Sequence, residues 1–174
     1  MVNILKNLIL VKIDTDYCNY LRKFDNKVPF NYDKKTLRPF IGVLFSVNKT
    51  KYFAPLSSPK PKHLKIKSKL DFMRIDNGKL GAINFNNMLP VQDANIILFN
   101  LNNKFGSKKE EQYLSLLNEQ IYWLNRHINQ IYSKSKKLYD KYNNGTLDIN
   151  IKNRCCNFKL LEKKCKEYNN LYVK

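Results

Sequence analysis

In the first hundred positions apolar residues gather in short runs split by polar turns, whereas beyond Gly106 they recur every three or four residues. Alternation and β-branching mark strands, and three-and-four spacing marks one face of a helix. The chain therefore reads as a β-rich part, 1–104, followed by a helical part, 105–174. Leu8 to Ile13 is aliphatic and β-branched, and Asp14-Thr15-Asp16 after it is suited to cap a helix from Tyr17 to about Phe24. Asn26 to Pro39 mixes Asn, Asp, Pro and Lys without a period and reads as a long loop, the kind of segment that often carries function. Phe40 to Val47 and Lys51 to Leu56, joined through Asn48-Lys49-Thr50, predict a hairpin. Leu70 to Ile75 alternates, turns at Asp76-Asn77-Gly78 and returns as Leu80 to Phe85. Met88 to Val91 and Ala94 to Leu98 add short strands, for an antiparallel sheet of about five or six members.

Ser107 with Glu110 has the form of a capping box, and Leu114, Leu117, Ile121, Leu124, Ile128, Ile131, Leu138 and Tyr142 mark one long amphipathic helix. A break is expected near Ser133 to Ser135, and Trp123 reads as a packing residue. Asn143-Asn144-Gly145 ends the pattern, and Asn157 opens a last helix with Phe158, Leu161, Cys165 and Tyr168 on one face.

The 174 residues suffice for one domain with its own core. With 43% apolar residues, 13% aromatics, and only 5 Gly and 6 Pro, collagen-like and low-complexity classes are excluded. The fold class is α+β, a single domain over 1–174. The apolar run near the start is cut at Lys12, well short of the roughly 20 residues a membrane helix needs. No small-residue cleavage site follows Leu8 to Val11, so a cytoplasmic location is expected. Cys18, Cys155, Cys156 and Cys165 show no C-x-x-C spacing and only two histidines could join them, so free thiols are expected and no metal or other cofactor.

Charge changes this picture most. Lys and Arg number 32 against 14 Asp and Glu, a formal net charge of +18, which calls for a polyanionic partner. From Lys34 to Leu70 there is no acidic residue, while Lys34, Lys35, Arg38, Lys60, Lys62, Lys65, Lys67 and Lys69 all fall there. Read as extended chain, Lys65, Lys67 and Lys69 would follow a phosphate backbone along one edge. The bland alternative is a solvated edge strand. Aromatic rings, Tyr32 among them, lie beside the same stretch and could stack on bases.

Phosphate-binding glycine loops, the nucleophile elbow and the H-E-x-x-H zinc motif are all absent from the sequence. Clustered carboxylates for two magnesium ions are missing from the basic part as well. What remains is metal-free chemistry on RNA, whose 2′-hydroxyl is its own nucleophile and needs only orientation and charge stabilisation. Ser57-Ser58-Pro59-Lys60-Pro61-Lys62-His63 places two hydroxyls, cations and an imidazole just past the end of a strand. Alone, this corner is a weak signal, since Ser-Pro turns with lysines are common.

Tyr17-x-x-Tyr20-Leu21, Phe24-Asp25-x-Lys27-Val28-Pro29, Phe40-Ile41-Gly42-Val43 and Lys51-Tyr52-Phe53-Ala54-Pro55-Leu56-Ser57-Ser58-Pro59-Lys60 resemble the ToxN/AbiQ family. Gly81-Ala82-Ile83-Asn84, Met88-Leu89-Pro90-Val91 and Cys156-Asn157-Phe158-Lys159-Leu160-Leu161-Glu162 continue the resemblance in order. It implies a twisted antiparallel sheet wrapped by helices, related to the Kid/MazF toxins. It also implies a metal-independent endoribonuclease toxin of a type III toxin–antitoxin, phage abortive-infection system, leaving a 2′,3′-cyclic phosphate and a 5′-hydroxyl.

Carried over residue by residue, the resemblance implies catalytic roles for Ser58, Lys60, Ser57 and Tyr17. Ser58 would orient the scissile phosphate or 2′-hydroxyl, Lys60 would stabilise the phosphorane, and Tyr17 would stand at the groove. Arg38, Lys34, Lys35, Tyr32, Lys62, His63, Lys65 and Lys67 are the expected RNA contacts. Implied partners are cellular and phage RNA and an antitoxin RNA of tandem repeats folded as pseudoknots, in cyclic protein–RNA assemblies, with no membrane partner. The competing class is a non-catalytic basic RNA-binding protein.

Overall fold

The structure, a computed structural model, describes residues 7–30, 32–33, 36–101 and 106–173, with backbone alone for 32–33 and 36–37. β1 (Ile9–Ile13) is followed by Asp14, whose carboxylate accepts the Tyr17 amide at 2.8 Å and caps α1 (Thr15–Arg22). The 26–39 stretch is not plain loop: it holds a small ribbon of β2 (Tyr32–Asp33) and β3 (Thr36–Leu37). The hairpin follows as β4 (Phe40–Gly42), β5 (Ser46–Val47) and β6 (Thr50–Ser57). Val47 pairs with Thr50, so Asn48 and Lys49 alone make the turn, both at positive φ (48° and 68°). That mirror-image turn matches the twist of the strands it joins.

Pro61 opens α2 (Pro61–Lys65) in the first turn, where a missing N–H is harmless. This corrects the extended reading of 65–69. Lys65 lies in the last turn of α2 and the Ile66 amide bonds back to Lys62, so the three lysines do not share one strand edge. β7 (Phe72–Arg74) and β8 (Ala82–Asn84) pair antiparallel around a turn in which Asp76, Asn77 and Gly78 all have positive φ. A Cβ on Gly78 would lie 2.4 Å from the His63 carbonyl oxygen, so only glycine lets this turn press against α2.

β9 (Leu89–Val91) and β10 (Ile96–Leu98) complete the sheet, ordered β10-β1-β4-β6-β8-β7 with β5 and β9 also on β6. The sheet thus has eight strands among the described residues, more than the five or six expected. The run from Phe40 to Val47 divides into two strands, and the eight-residue β6 is long enough to pair with different partners along its length.

Ser107 accepts the Glu110 amide, and the Glu110 carboxylate reaches back to the Gly106 N–H, opening α3 (Lys108–Arg126). The helix breaks at His127, not at Ser133 to Ser135, before α4 (Ile128–Asn143). Buried Ser135 bonds its hydroxyl to the Tyr132 carbonyl and lets the ladder run on, whereas His127 stacks on Trp123 with ring centres 3.7 Å apart and leaves helical backbone angles. α5 (Ile149–Arg154), capped by Asp148, has no counterpart in the sequence reading, and α6 (Phe158–Tyr172) is capped by Asn157 as expected.

One core joins the parts. Tyr17, Cys18 and Leu21 of α1, Phe158, Leu161 and Cys165 of α6, and Leu117, Leu124, Ile131 and Leu138 of α3 and α4 meet the sheet's Phe40, Phe53 and Leu89. Each such side chain contributes about 1.5–3 kcal/mol by leaving water. A Cβ on Gly42 would come within 2.3 Å of the Phe53 ring, so that glycine lets the ring lie on the neighbouring strand. Among the described residues, no helix is long and apolar enough to cross a membrane.

Candidate active site

The conspicuous corner is the end of β6. Ser57 is its last residue, paired with Ala82 of β8, and Ser58, Pro59 and Lys60 continue into solvent. Gly81 makes the corner tight: at φ 97°, a Cβ there would lie 2.0 Å from the Ser57 carbonyl oxygen. Asn84 Nδ2 donates to Ser57 Oγ at 2.8 Å across the two strands. The Lys60 carbonyl accepts the His63 amide at 2.8 Å and so ties the corner to α2.

Beside the corner opens a cleft of about 360 Å³. Ser57, Lys60, Lys62, Lys67 and Lys69 line it from β6, α2 and the segment after α2. Asn84, Asn86 and Phe72 line it from the β7–β8 region, and Arg154 from the end of α5. Among the described residues its one acidic lining residue, Asp71, is buried and accepts from Arg154 Nε at 2.9 Å. That contact holds the guanidinium at the cleft wall through Nε. Unbalanced cations in a confined site raise the local concentration of anionic ligands.

Two expected site residues occupy other surroundings. Tyr17 is wholly buried, with its hydroxyl donated to the Pro90 carbonyl, and burial raises its phenol well above the usual range. It is a neutral core residue fastening α1 to β9 and does not stand at the groove. The cause is its place in the first turn of α1, on the face that meets α6, where its ring packs 5.1 Å from that of Tyr168. His63, expected at the surface, is 2% exposed. Burial, then the charges of Lys62 and Lys60, lower its pKa, so at neutral pH it is an uncharged wall of the cleft and not a cationic RNA contact.

Of the remaining expected residues, Ser57, Lys60, Lys62 and Lys67 come together at the cleft, and exposed Ser58 sits between two of them. Lys65 faces solvent outside the cleft lining, and Arg38 is half-buried just before β4. The Tyr32 backbone lies on β2, while Lys34 and Lys35 lie outside the described residues. Sequence reasoning missed Arg154, Asp71, Asn86 and any site role for Asn84. Arg154 and Asp71 are 83 positions apart and carry no local pattern, whereas Asn84 lies in the Gly81-to-Asn84 block already singled out.

A family model described as Toxin ToxN, type III toxin–antitoxin system, matches residues 9–166, nearly the whole chain and every element just described except the end of α6. The chain belongs to the ToxN family. It is 33% identical over 160 residues to the endoribonuclease ToxN of Bacillus thuringiensis subsp. kurstaki, covering 90% of this chain and 81% of that protein. It is 30% identical over 166 residues to the endoribonuclease AbiQ of Lactococcus lactis subsp. lactis, covering 90% and 86%. A solved structure describing selective inhibition of a type III toxin by a non-coding RNA pseudoknot superposes with a TM-score of 0.80 at 30% identity, covering 94% of this chain and 99% of that one. The ToxN-like block from Lys51 to Lys60 is β6 and the corner that follows it.

Proposed function

We propose that this ToxN-family protein is an endoribonuclease toxin that cleaves RNA at the β6 corner without a metal ion. One observation supports the reading: in a chain whose relatives are named endoribonucleases, Ser57 and Lys60 line a cleft walled by lysines and Arg154, with exposed Ser58 between them in the chain. The 2′-hydroxyl gives its proton to water as its oxygen bonds the adjacent phosphorus, the P–O5′ bond breaks, and the products are a 2′,3′-cyclic phosphate and a 5′-hydroxyl. Ser58 and Ser57 hold the phosphate in line, while the Lys60 ammonium faces the charge that builds on the phosphorane and protonates the leaving oxygen. Lys62, Lys67, Lys69 and Arg154 hold flanking phosphates. Among the described residues the sole acidic one lining the cleft, Asp71, is already engaged by Arg154, which favours this cationic route over one through carboxylate-held metal.

The same cleft takes a folded antitoxin RNA, because a cationic surface that grips substrate also grips an inhibitor that fills it. The protein works in the cytoplasm, where its RNA partners are, and its four cysteines are buried free thiols suited to a reducing compartment.

The test is cleavage of single-stranded RNA in excess EDTA, with the 5′ fragment probed for a cyclic phosphate. Cutting is expected to persist in EDTA and to stop when the sugar at the cleaved bond is 2′-deoxy. A requirement for Mg²⁺, or cleavage of the deoxy-substituted strand, overturns the mechanism. Binding that shows no cutting at all leaves only the non-catalytic class.

A further inference from the structure

Ser57 is a hydroxyl with a fixed neighbour. Asn84 reaches it diagonally across the β6–β8 pair, two positions beyond Ala82, the partner of Ser57, and the 2.8 Å contact runs from the amide nitrogen to the hydroxyl oxygen. Asn84 also occupies the N-cap position of the short 3-10 turn Phe85–Asn87. Asparagine at such a position ordinarily bonds the backbone of its own turn. Here it makes no such cap bond, and its amide is given to Ser57 instead. Both residues line the cleft.

A hydroxyl oxygen that accepts one hydrogen bond keeps its own proton for a third group. With the Asn84 amide occupying one lone pair, and the corner held close to β8 at Gly81, the Ser57 O–H is left to donate into the cleft. We infer that Asn84 is a positioning residue that orients the Ser57 hydroxyl as a donor to a non-bridging oxygen of the scissile phosphate. The inference rests on the endoribonuclease reading, and Asn84 acts through Ser57 without touching the substrate. Donors fixed in advance cost no reorganisation when charge develops, and removal of one such donor typically slows the chemical step about 10²- to 10³-fold.

The experiment is a double-mutant cycle read by single-turnover cleavage under saturating protein. Ser57→Ala is expected to slow cleavage about 100-fold. Asn84→Ala, which keeps the hydroxyl but frees its rotation, is expected to slow it about 10-fold, with RNA affinity unchanged and the melting temperature moved by no more than about 4 °C. The double variant is expected to be no slower than Ser57→Ala alone, since Asn84 has nothing left to orient. Asn84→Asp keeps the shape but turns the neighbour into an acceptor that draws the Ser57 proton away from the phosphate; it is expected to be slower than Asn84→Ala. That variant completes the cycle if Asn84→Ala fails to fold. Equal slowing by the Asn84 change with and without Ser57, or wild-type rates in the Asn84 variants, overturns the inference. Wild-type protein that leaves RNA uncut overturns the endoribonuclease reading and this role with it, whereas an active wild type beside equally active Asn84 variants overturns the positioning role alone.

Discussion

The two ends of β6 hold polar groups in opposite conditions. At one end Tyr52 is fully buried and donates at 2.8 Å to Glu162 of α6, whose same oxygen accepts the Tyr139 hydroxyl of α4. Lys159 closes the cluster, donating to the other Glu162 oxygen at 3.2 Å and to Tyr139 at 2.9 Å. Burial and the Glu162 charge keep both phenols well protonated, as donors. At the other end, Ser58 and Lys60 are exposed, and His63 Nδ1 and Asp71 Oδ1 are buried without hydrogen-bond partners among the described residues. A closed network joins sheet and helices, whereas the exposed hydroxyl and ammonium at the open end are, on the proposed function, the groups that meet a ligand arriving later. The first end should answer to stability measurements and the second to activity.

The largest expected effect breaks that division if it fails. Lys60→Ala removes an exposed ammonium with no internal partner among the described residues. Cleavage should fall by about two to three orders of magnitude. The melting temperature should stay within about 2 °C, because exposed charges contribute little to folding. A matching loss of stability would mean that Lys60 props up the corner and does not act on phosphate.

Next in size is Glu162→Ala, which leaves two hydroxyls of the closed network without their acceptor. Each costs about 1–3 kcal/mol when buried and unsatisfied, so a loss of roughly 2–3 kcal/mol is expected. In a chain of this length that lowers the melting temperature by about 5–10 °C. Cleavage measured well below the transition should change less than about twofold, as the cluster lies at the far end of β6. Thermal melts and single-turnover rates on the same preparation check both halves. A cleavage loss without a stability loss would move the functional site to this end.

The same contrast explains what the sequence disclosed. Strands, caps and the last helix are readable because their causes are local: Asp14, Ser107 and Asn157 each accept the amide three residues onward. The basic stretch announced a polyanion partner, and the resemblance singled out Ser57, Ser58 and Lys60. It could not separate core from site within one block, since Tyr52 and Ser58 belong to the same run and differ only in what packs on them. Tyr17 shows the same limit in another block: the resemblance implies a groove residue, and packing against α6 makes it core. Arg154 and Asp71 were invisible because their pairing depends on how α5 returns to β7, which no local pattern encodes. Beyond Gly106 the sequence pattern carries neither the break at His127, where a side-chain stack ends α3, nor the short α5.

The smallest effect is the finest probe of the open end. His63 has its pKa lowered from 6.5 by burial first and by Lys62 and Lys60 next. The unfolded chain therefore takes up a proton at a higher pH than the folded one does. Between the ordinary imidazole value and the depressed folded value, the unfolded state binds more protons, so stability rises with pH and falls on acidification through that window. Carboxylates elsewhere also titrate, so the informative quantity is a difference: the melting temperature of His63→Gln should decline less steeply from pH 7 to 5 than that of the wild type. An uncleavable 2′-O-methyl RNA sharpens the probe. Phosphates seated on Lys60 and Lys62 offset two of the charges that oppose protonation, so bound RNA should bring the wild-type slope closer to that of His63→Gln. It should not erase the difference, because burial is the larger cause and RNA does not reverse it. A slope indifferent to RNA would separate the two lysines from the phosphates and leave the open end of β6 without its proposed occupant.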